Sequence, residues 1–198
     1  MIKPDFSTNL LDKLLVTMEL HNVDAIIVIT KEDLLKEEDK IKYRNILAYY
    51  ESIGYKVVYN YEIDKIKELI KDKSSVFTGQ TGAGKSTLLN KLHPGLSLET
   101  GEISEALGRG KHTTRVVELF ELFGGKVMDT PGFSAIDFSQ FKKEEIKDGF
   151  VEFFDYPCPY RDCNHVKEGE CSVREALNDG AILESRYMNY LNFIGEDK

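Results

Sequence analysis

Residues 79–86, Gly-Gln-Thr-Gly-Ala-Gly-Lys-Ser, fit G-x-x-x-x-G-K-[ST] at every fixed position. Gly79, Gly82 and Gly84 let successive backbone N–H groups turn inward around a phosphate, with Gln80, Thr81 and Ala83 spacing them. Lys85 supplies a charge for β and γ phosphates. Ser86 offers a hydroxyl to Mg²⁺, and a helix running on through Thr87 would point its positive end at the anion. Upstream, Thr30-Lys31-Glu32-Asp33 follows an apolar run. A carboxylate there can accept both donors on the guanine edge, the ring N–H and the exocyclic amine. Adenine has no such pair and would leave the carboxylate unsatisfied. Asp33 fits that role, and the stem of Lys31 can cover the base. Thr30 stands where Asn is usual, keeping a hydroxyl but losing the amide, so weaker bracing of the loop is expected. Taken alone, the tetrapeptide also reads as a helix start, with a Thr cap and an acidic first turn.

Asp129-Thr130-Pro131-Gly132-Phe133 follows a second apolar run. Asp129 is placed to hold Mg²⁺ through water, and the Gly132 N–H to meet a γ-phosphate. The alternative is a plain Pro-Gly turn. Before it, His112-Thr113-Thr114-Arg115 offers a hydroxyl to complete the Mg²⁺ shell, Thr114 in preference to Thr113. Many GTPases orient the attacking water with a Gln after this glycine. Phe133 cannot do so. His112 is therefore the candidate to orient or activate water once a partner orders the loop, with Lys85 as the second catalytic candidate. A solvent-exposed loop histidine is the other reading of His112.

The chain's three cysteines fall within fourteen residues, as Cys158-x4-Cys163-x-His165-x5-Cys171. The odd number and close spacing argue against a disulfide framework. Three thiolates and an imidazole suit one tetrahedral Zn²⁺. So small a segment has little apolar content for a core, and a metal would supply folding energy. Asp155 and Asp162 are poorer ligands for a soft site.

These groups need elements to hold them. Residues 9–21 read as a helix with Leu10, Leu11, Leu14, Leu15 and Met18 on one face and Ser7 or Thr8 as cap. Asp24–Thr30 reads as a buried parallel strand with its ligand loop at the carboxyl end. A helix is expected over 37–52, stopped by Gly54, then a strand over 55–59, a helix over 62–71 and a short strand over 75–78. The phosphate loop and a helix over 85–92 follow. Residues 93–115 lack a period and read as a long loop. Strands at 116–123 and 126–129 turn on Gly124-Gly125. Beyond Phe150 the text becomes rich in Cys, Pro and Tyr, and then helical from Val173 to Phe193. The expectation is an α/β fold with two domains, 1–150 holding the nucleotide motifs and 151–198 the metal cluster.

Composition sets bounds. The 198 residues suffice for one domain and a small appendage, and 41% hydrophobic with 30% charged residues suits a globular chain. A net charge of -8 disfavours whole-surface binding to nucleic acid, though Arg109, Lys111, His112 and Arg115 form a local basic cluster. No apolar run approaches a membrane span, the longest being Ala25–Ile29, and MIKPDFSTN lacks signal-peptide features. A cytoplasmic monomer without membrane contact is expected.

The motifs stand in an unusual order. An ordinary GTPase runs phosphate loop, switch, guanine reader, whereas here the reader leads. That order, together with GKHTTR, DTPGF and the Cys-Cys-His-Cys cluster, closely resembles the RsgA (YjeQ) family of small ribosomal subunit biogenesis GTPases over essentially the whole chain. The resemblance implies a circularly permuted P-loop GTPase sheet with a small C-terminal helical zinc-binding domain. It implies GTP hydrolysis in late 30S subunit maturation, contact with 16S rRNA, and stimulation of hydrolysis by the subunit. GTP or GDP with Mg²⁺, and one Zn²⁺ per chain, would be the cofactors. Family members begin with an OB-fold and carry an apolar strand before the PDFSTNLLD text. Neither is found here, so five strands are counted where six are expected, the absent one central between the reader strand and the phosphate-loop strand. The competing readings are a truncated, catalytically idle RNA- or protein-binding zinc module, and a P-loop ATPase or kinase. Asp33 and the lack of a second acidic residue after Asp129 disfavour the last.

Overall fold

Ser7 caps the first helix, α1 (Thr8–Leu20), its Oγ accepting from the Leu10 N–H at 3.3 Å. The computed structural model describes residues 6–96, 98, 118–129, 138 and 140–195. In chain order the further elements are β1 (Ile26–Ile29), α2 (Glu37–Ser52), β2 (Lys56–Tyr59), α3 (Ile63–Ile70), β3 (Ser74–Phe77) and α4 (Lys85–Leu92). After them come β4 (Glu118–Leu122), β5 (Gly125–Asp129), α5 (Lys143–Asp148), α6 (Ser172–Asn178) and α7 (Glu184–Phe193). Among the described residues no helix is long and apolar enough to cross a membrane.

The five strands were expected in one sheet. They form two, β1-β2 and β3-β5-β4. β3 and β5 run parallel with Phe77 opposite Asp129, and β4 and β5 run antiparallel with Leu122 opposite Gly125. Among the described residues no hydrogen-bonded pairing joins β1 to β3.

Two local expectations need correction. The hairpin between β4 and β5 turns on Phe123-Gly124, not Gly124-Gly125. Phe123 (φ 55) and Gly124 (φ 76) both take the left-handed conformation of a two-residue turn, and Gly125 already pairs in β5. The helical text at the C-terminus is two helices, α6 and α7, interrupted where Gly180 adopts φ 75. The short helix α5 had no counterpart in the sequence reading.

The chain divides into two compact units. The first contains the described residues of Ile27–Lys40 and Val57–Ala135. Its interior is Val58, Ile66, Leu88, Leu89, Leu92 and Val127, contributed by β2, α3, α4 and β5. The second contains those of Phe6–Ile26, Ile41–Lys56 and Ile136–Lys198. It is built on an aromatic cluster in which Phe150, Phe153 and Tyr190 meet with centroids 5.1–5.3 Å apart. At its centre Arg186 is fully buried. It donates to Asp12 of α1 at 2.7 Å and to both carboxylate oxygens of Glu152 at 2.7 and 3.1 Å. Tyr50 and Asn189 also donate to Asp12, each at 2.6 Å, so the buried charges are paired and hydrogen-bonded.

Candidate nucleotide site and metal centre

The phosphate loop leaves β3 at Phe77 and enters α4 at Lys85. Gly79 (φ 143), Gly82 (φ 79) and Gly84 (φ 95) take backbone conformations that L side chains rarely adopt, so the three glycines of the motif are required by the path of the chain. Ala83 N donates to the Gln80 carbonyl at 3.1 Å, closing the turn. Lys85 Nζ lies inside the loop, donating to the Gly79 and Gln80 carbonyls at 3.0 and 3.1 Å. Ser86 and Thr87 occupy the first turn of α4, which starts directly at the end of the loop and turns its positive end toward it.

The expected guanine reader meets this loop directly. Thr30 follows β1, and its Oγ1 donates to the Ala83 carbonyl at 2.6 Å. A Cβ built on Gly84 would meet the Thr30 side chain at 3.7 Å. Weaker bracing was expected from Thr in place of Asn. The Thr30 hydroxyl supplies the bond to the Ala83 carbonyl. Lys31 adopts φ 60 and turns the chain into a 3-10 turn, Glu32–Leu34, where the Asp33 carboxylate is exposed.

Asp129 ends β5 beside Phe77, one strand spacing of about 4.8 Å away. It therefore lies next to the strand that feeds the phosphate loop. Its Oδ1 is buried with no hydrogen-bond partner among the described residues, as is Oγ1 of Thr78, which follows β3. An anionic oxygen left in this position suits a hydrated divalent cation. His112, Thr114 and Gly132 lie outside the described residues.

The metal cluster assembles as its spacing predicted. Nδ1 of His165 is 3.4 Å from each of the Cys158, Cys163 and Cys171 sulfurs, and Cys158 Sγ is 3.8 Å from Cys171 Sγ. All four donor atoms lie within 4.8 Å of one another. Around a tetrahedral zinc, bonds of about 2.3 Å to sulfur and 2.0 Å to nitrogen give edges of about 3.8 and 3.5 Å. The cluster could hold one metal ion of that kind. Cys163, His165 and Cys171 are buried, and Cys158 partly so. Burial, aided by the charge of Lys147, pushes the His165 imidazole down to about 4, leaving it neutral near pH 7 as a ligand must be. Burial pushes the Cys171 thiol up to about 12, so a binding cation has to displace its proton.

Sequence reading missed the groups around these ligands. Glu168 accepts from the N–H groups of Asn164 (2.9 Å), Val166 (2.8 Å) and Lys167 (3.0 Å). Tyr187 and Tyr190 of α7 donate to the His165 and Asn164 carbonyls, each at 2.6 Å. Lys147 donates to the Cys163 carbonyl at 3.0 Å. A Glu three residues after the ligand histidine is visible in the text, but what it binds is backbone, which spacing does not reveal.

Comparison with known proteins shows the family and the fold. Residues 1–139 match the family model described as RsgA GTPase. A protein named small ribosomal subunit biogenesis GTPase RsgA from Enterococcus faecalis is 47% identical over 201 residues, covering 99% of this chain and 68% of the relative. Its namesake in Streptococcus agalactiae is 46% identical over 196 residues, covering 98% of this chain and 66% of the relative. The chain thus spans about two thirds of the length of these relatives. YjeQ from Thermotoga maritima superposes with a TM-score of 0.81 at 39% identity, over 98% of this chain and 67% of that structure. YloQ, described as a circularly permuted GTPase, gives 0.79 at 36% identity, over 99% and 64%.

Proposed function

The chain belongs to the RsgA family of GTP-hydrolysing enzymes and has the circularly permuted GTPase fold, and we propose that it acts on the small ribosomal subunit in late 30S maturation. The observation that carries this reading is the bond from Thr30 to Ala83. It joins a base-reading loop to a phosphate loop, and a guanine nucleotide spans those two features.

In this proposal Asp33 accepts from the guanine edge, with Thr30, Lys31 and Glu32 shaping its loop. Gly79 to Thr87 hold the phosphates. Lys85 exchanges the Gly79 and Gln80 carbonyls for phosphate oxygens, and the Gly132 N–H meets the γ-phosphate. Ser86, Thr114 and Asp129 hold Mg²⁺, directly or through water. His112 orients the attacking water. Residues 1–150 carry nucleotide chemistry, and residues 151–198 carry a structural Zn²⁺ on Cys158, Cys163, His165 and Cys171. The acceptor surface is 16S rRNA on the subunit, and the chain works as a cytoplasmic monomer. When bound, zinc supplies folding energy to the cysteine loops and no chemistry on the nucleotide.

The test is calorimetric binding of GTP, GDP and ATP, followed by GTP turnover with and without purified 30S subunits. The expected result is GTP and GDP binding without ATP binding, slow turnover alone and faster turnover with subunits. Absence of guanine nucleotide binding would leave the idle zinc module as the surviving reading. Binding without stimulation would remove the ribosomal partner.

A further inference from the structure

The loop carrying Cys163 and His165 follows a tight path. His165 itself lies at φ 57, in the left-handed region. Backbone turned this sharply presents N–H groups that need partners. Three of them find the same side chain: Glu168 Oε1 takes the Asn164 N–H, and Oε2 takes those of Val166 and Lys167. The carbonyls of Asn164 and His165 are taken by the phenols of Tyr190 and Tyr187. The carbonyl of Glu168 accepts from Arg174 Nη1 at 3.2 Å, which ties the end of the loop to α6. Glu168 is not one of the four donors of the cluster. Both its oxygens are already engaged with backbone.

We propose that Glu168 is the positioning residue of the metal centre. Its carboxylate fixes the turn at His165 so that Nδ1 faces the three sulfurs before a divalent cation arrives. The inference rests on reading the Cys158-Cys163-His165-Cys171 cluster as a metal centre. It adds that the ligand loop is shaped by a carboxylate lying on the backbone, with the cation binding to a turn already made. Partners of metal ligands commonly change affinity by about 10–100-fold when removed.

The test uses the full chain, stripped of metal and titrated with Zn²⁺ against a chelating dye. Glu168→Ala and Glu168→Gln are compared with wild type and with Leu15→Ala, a core truncation in α1. Glu168→Ala is expected to weaken zinc by about 10–100-fold. Glu168→Gln should fall between, because the amide oxygen keeps part of the set while the NH₂ opposes an N–H. Leu15→Ala should leave zinc affinity unchanged. In the metal-free protein, the amides of Asn164, Val166 and Lys167 should exchange slowly in wild type and rapidly in Glu168→Ala.

Wild-type zinc affinity in Glu168→Ala overturns the proposal, and so does an equal loss in Leu15→Ala. Where the alanine variant does not fold, wild-type affinity and amide protection in Glu168→Gln overturn it. A wild-type chain that takes up no zinc overturns the metal-centre reading itself, which the dye titration separates from the role of Glu168.

Discussion

Thr30 and Ala83 stand 53 residues apart in the chain and share a 2.6 Å hydrogen bond from hydroxyl to carbonyl. Because the bond links the loop expected to read the base to the loop expected to hold the phosphates, its loss should be felt by nucleotide more than by the fold. Thr30→Val keeps the shape and strands the Ala83 carbonyl, at a cost of about 1 kcal/mol. The expected outcome is roughly fivefold weaker GDP binding by calorimetry, with Thr30→Ser close to wild type.

Gly84 sits at φ 95, and a Cβ there would only touch the Thr30 side chain at ordinary contact distance. The penalty of Gly84→Ala is therefore one of backbone conformation, about 1–2 kcal/mol. Relief of that strain means a shifted loop. GDP affinity should fall by about tenfold, while the thermal midpoint of the second unit, followed by its tyrosine absorbance, stays in place.

Arg186→Met leaves Asp12 and Glu152 as buried carboxylates without their cation. Removing one partner of a buried ionic group costs about 3–5 kcal/mol. Urea unfolding should show a loss of that size. Adding Glu152→Gln to Arg186→Met should recover part of it, since one uncompensated charge is then gone.

Glu168 has its carboxyl held down to about 2. Burial would raise it, but the N–H groups of Asn164, Val166 and Lys167 favour the anion more strongly. A carboxyl with a folded value below its ordinary 4.5 contributes stability that is present above 4.5 and lost as pH falls toward 2. Metal-free protein should lose stability across that window, as measured by urea midpoints at stepped pH. Glu168→Gln should flatten the curve there and start from a lower plateau at neutral pH.

Local spacing made much of this molecule legible. Gly79 to Ser86 and Cys158 to Cys171 announce themselves because the groups that act together are close in the chain. The strands that deliver Thr30 and Asp129 could be read because buried strands show as apolar runs. Long-range pairing was not legible. Arg186 finds Glu152 34 residues away and Asp12 174 residues away, and no periodicity connects them. The hairpin was misplaced by one residue because Phe123, not a second glycine, takes positive φ. Helix α5 was missed because among its six residues only Ile146 is buried, so no apolar period forms. Glu168 was passed over because its partners are backbone N–H groups, which every residue but proline has.

The contact between Asp12 and Arg186 also bears on how the second unit folds. Helix α1 meets buried partners on α7, through Asp12 to Arg186 and Asn9 to Asn189. These pairs lie 174 and 180 positions apart in the chain. Closure of this core therefore waits on contacts of high sequence separation, which are slow to form. A truncation that removes Arg186 leaves Asp12 and Glu152 without their cation and the core unfinished.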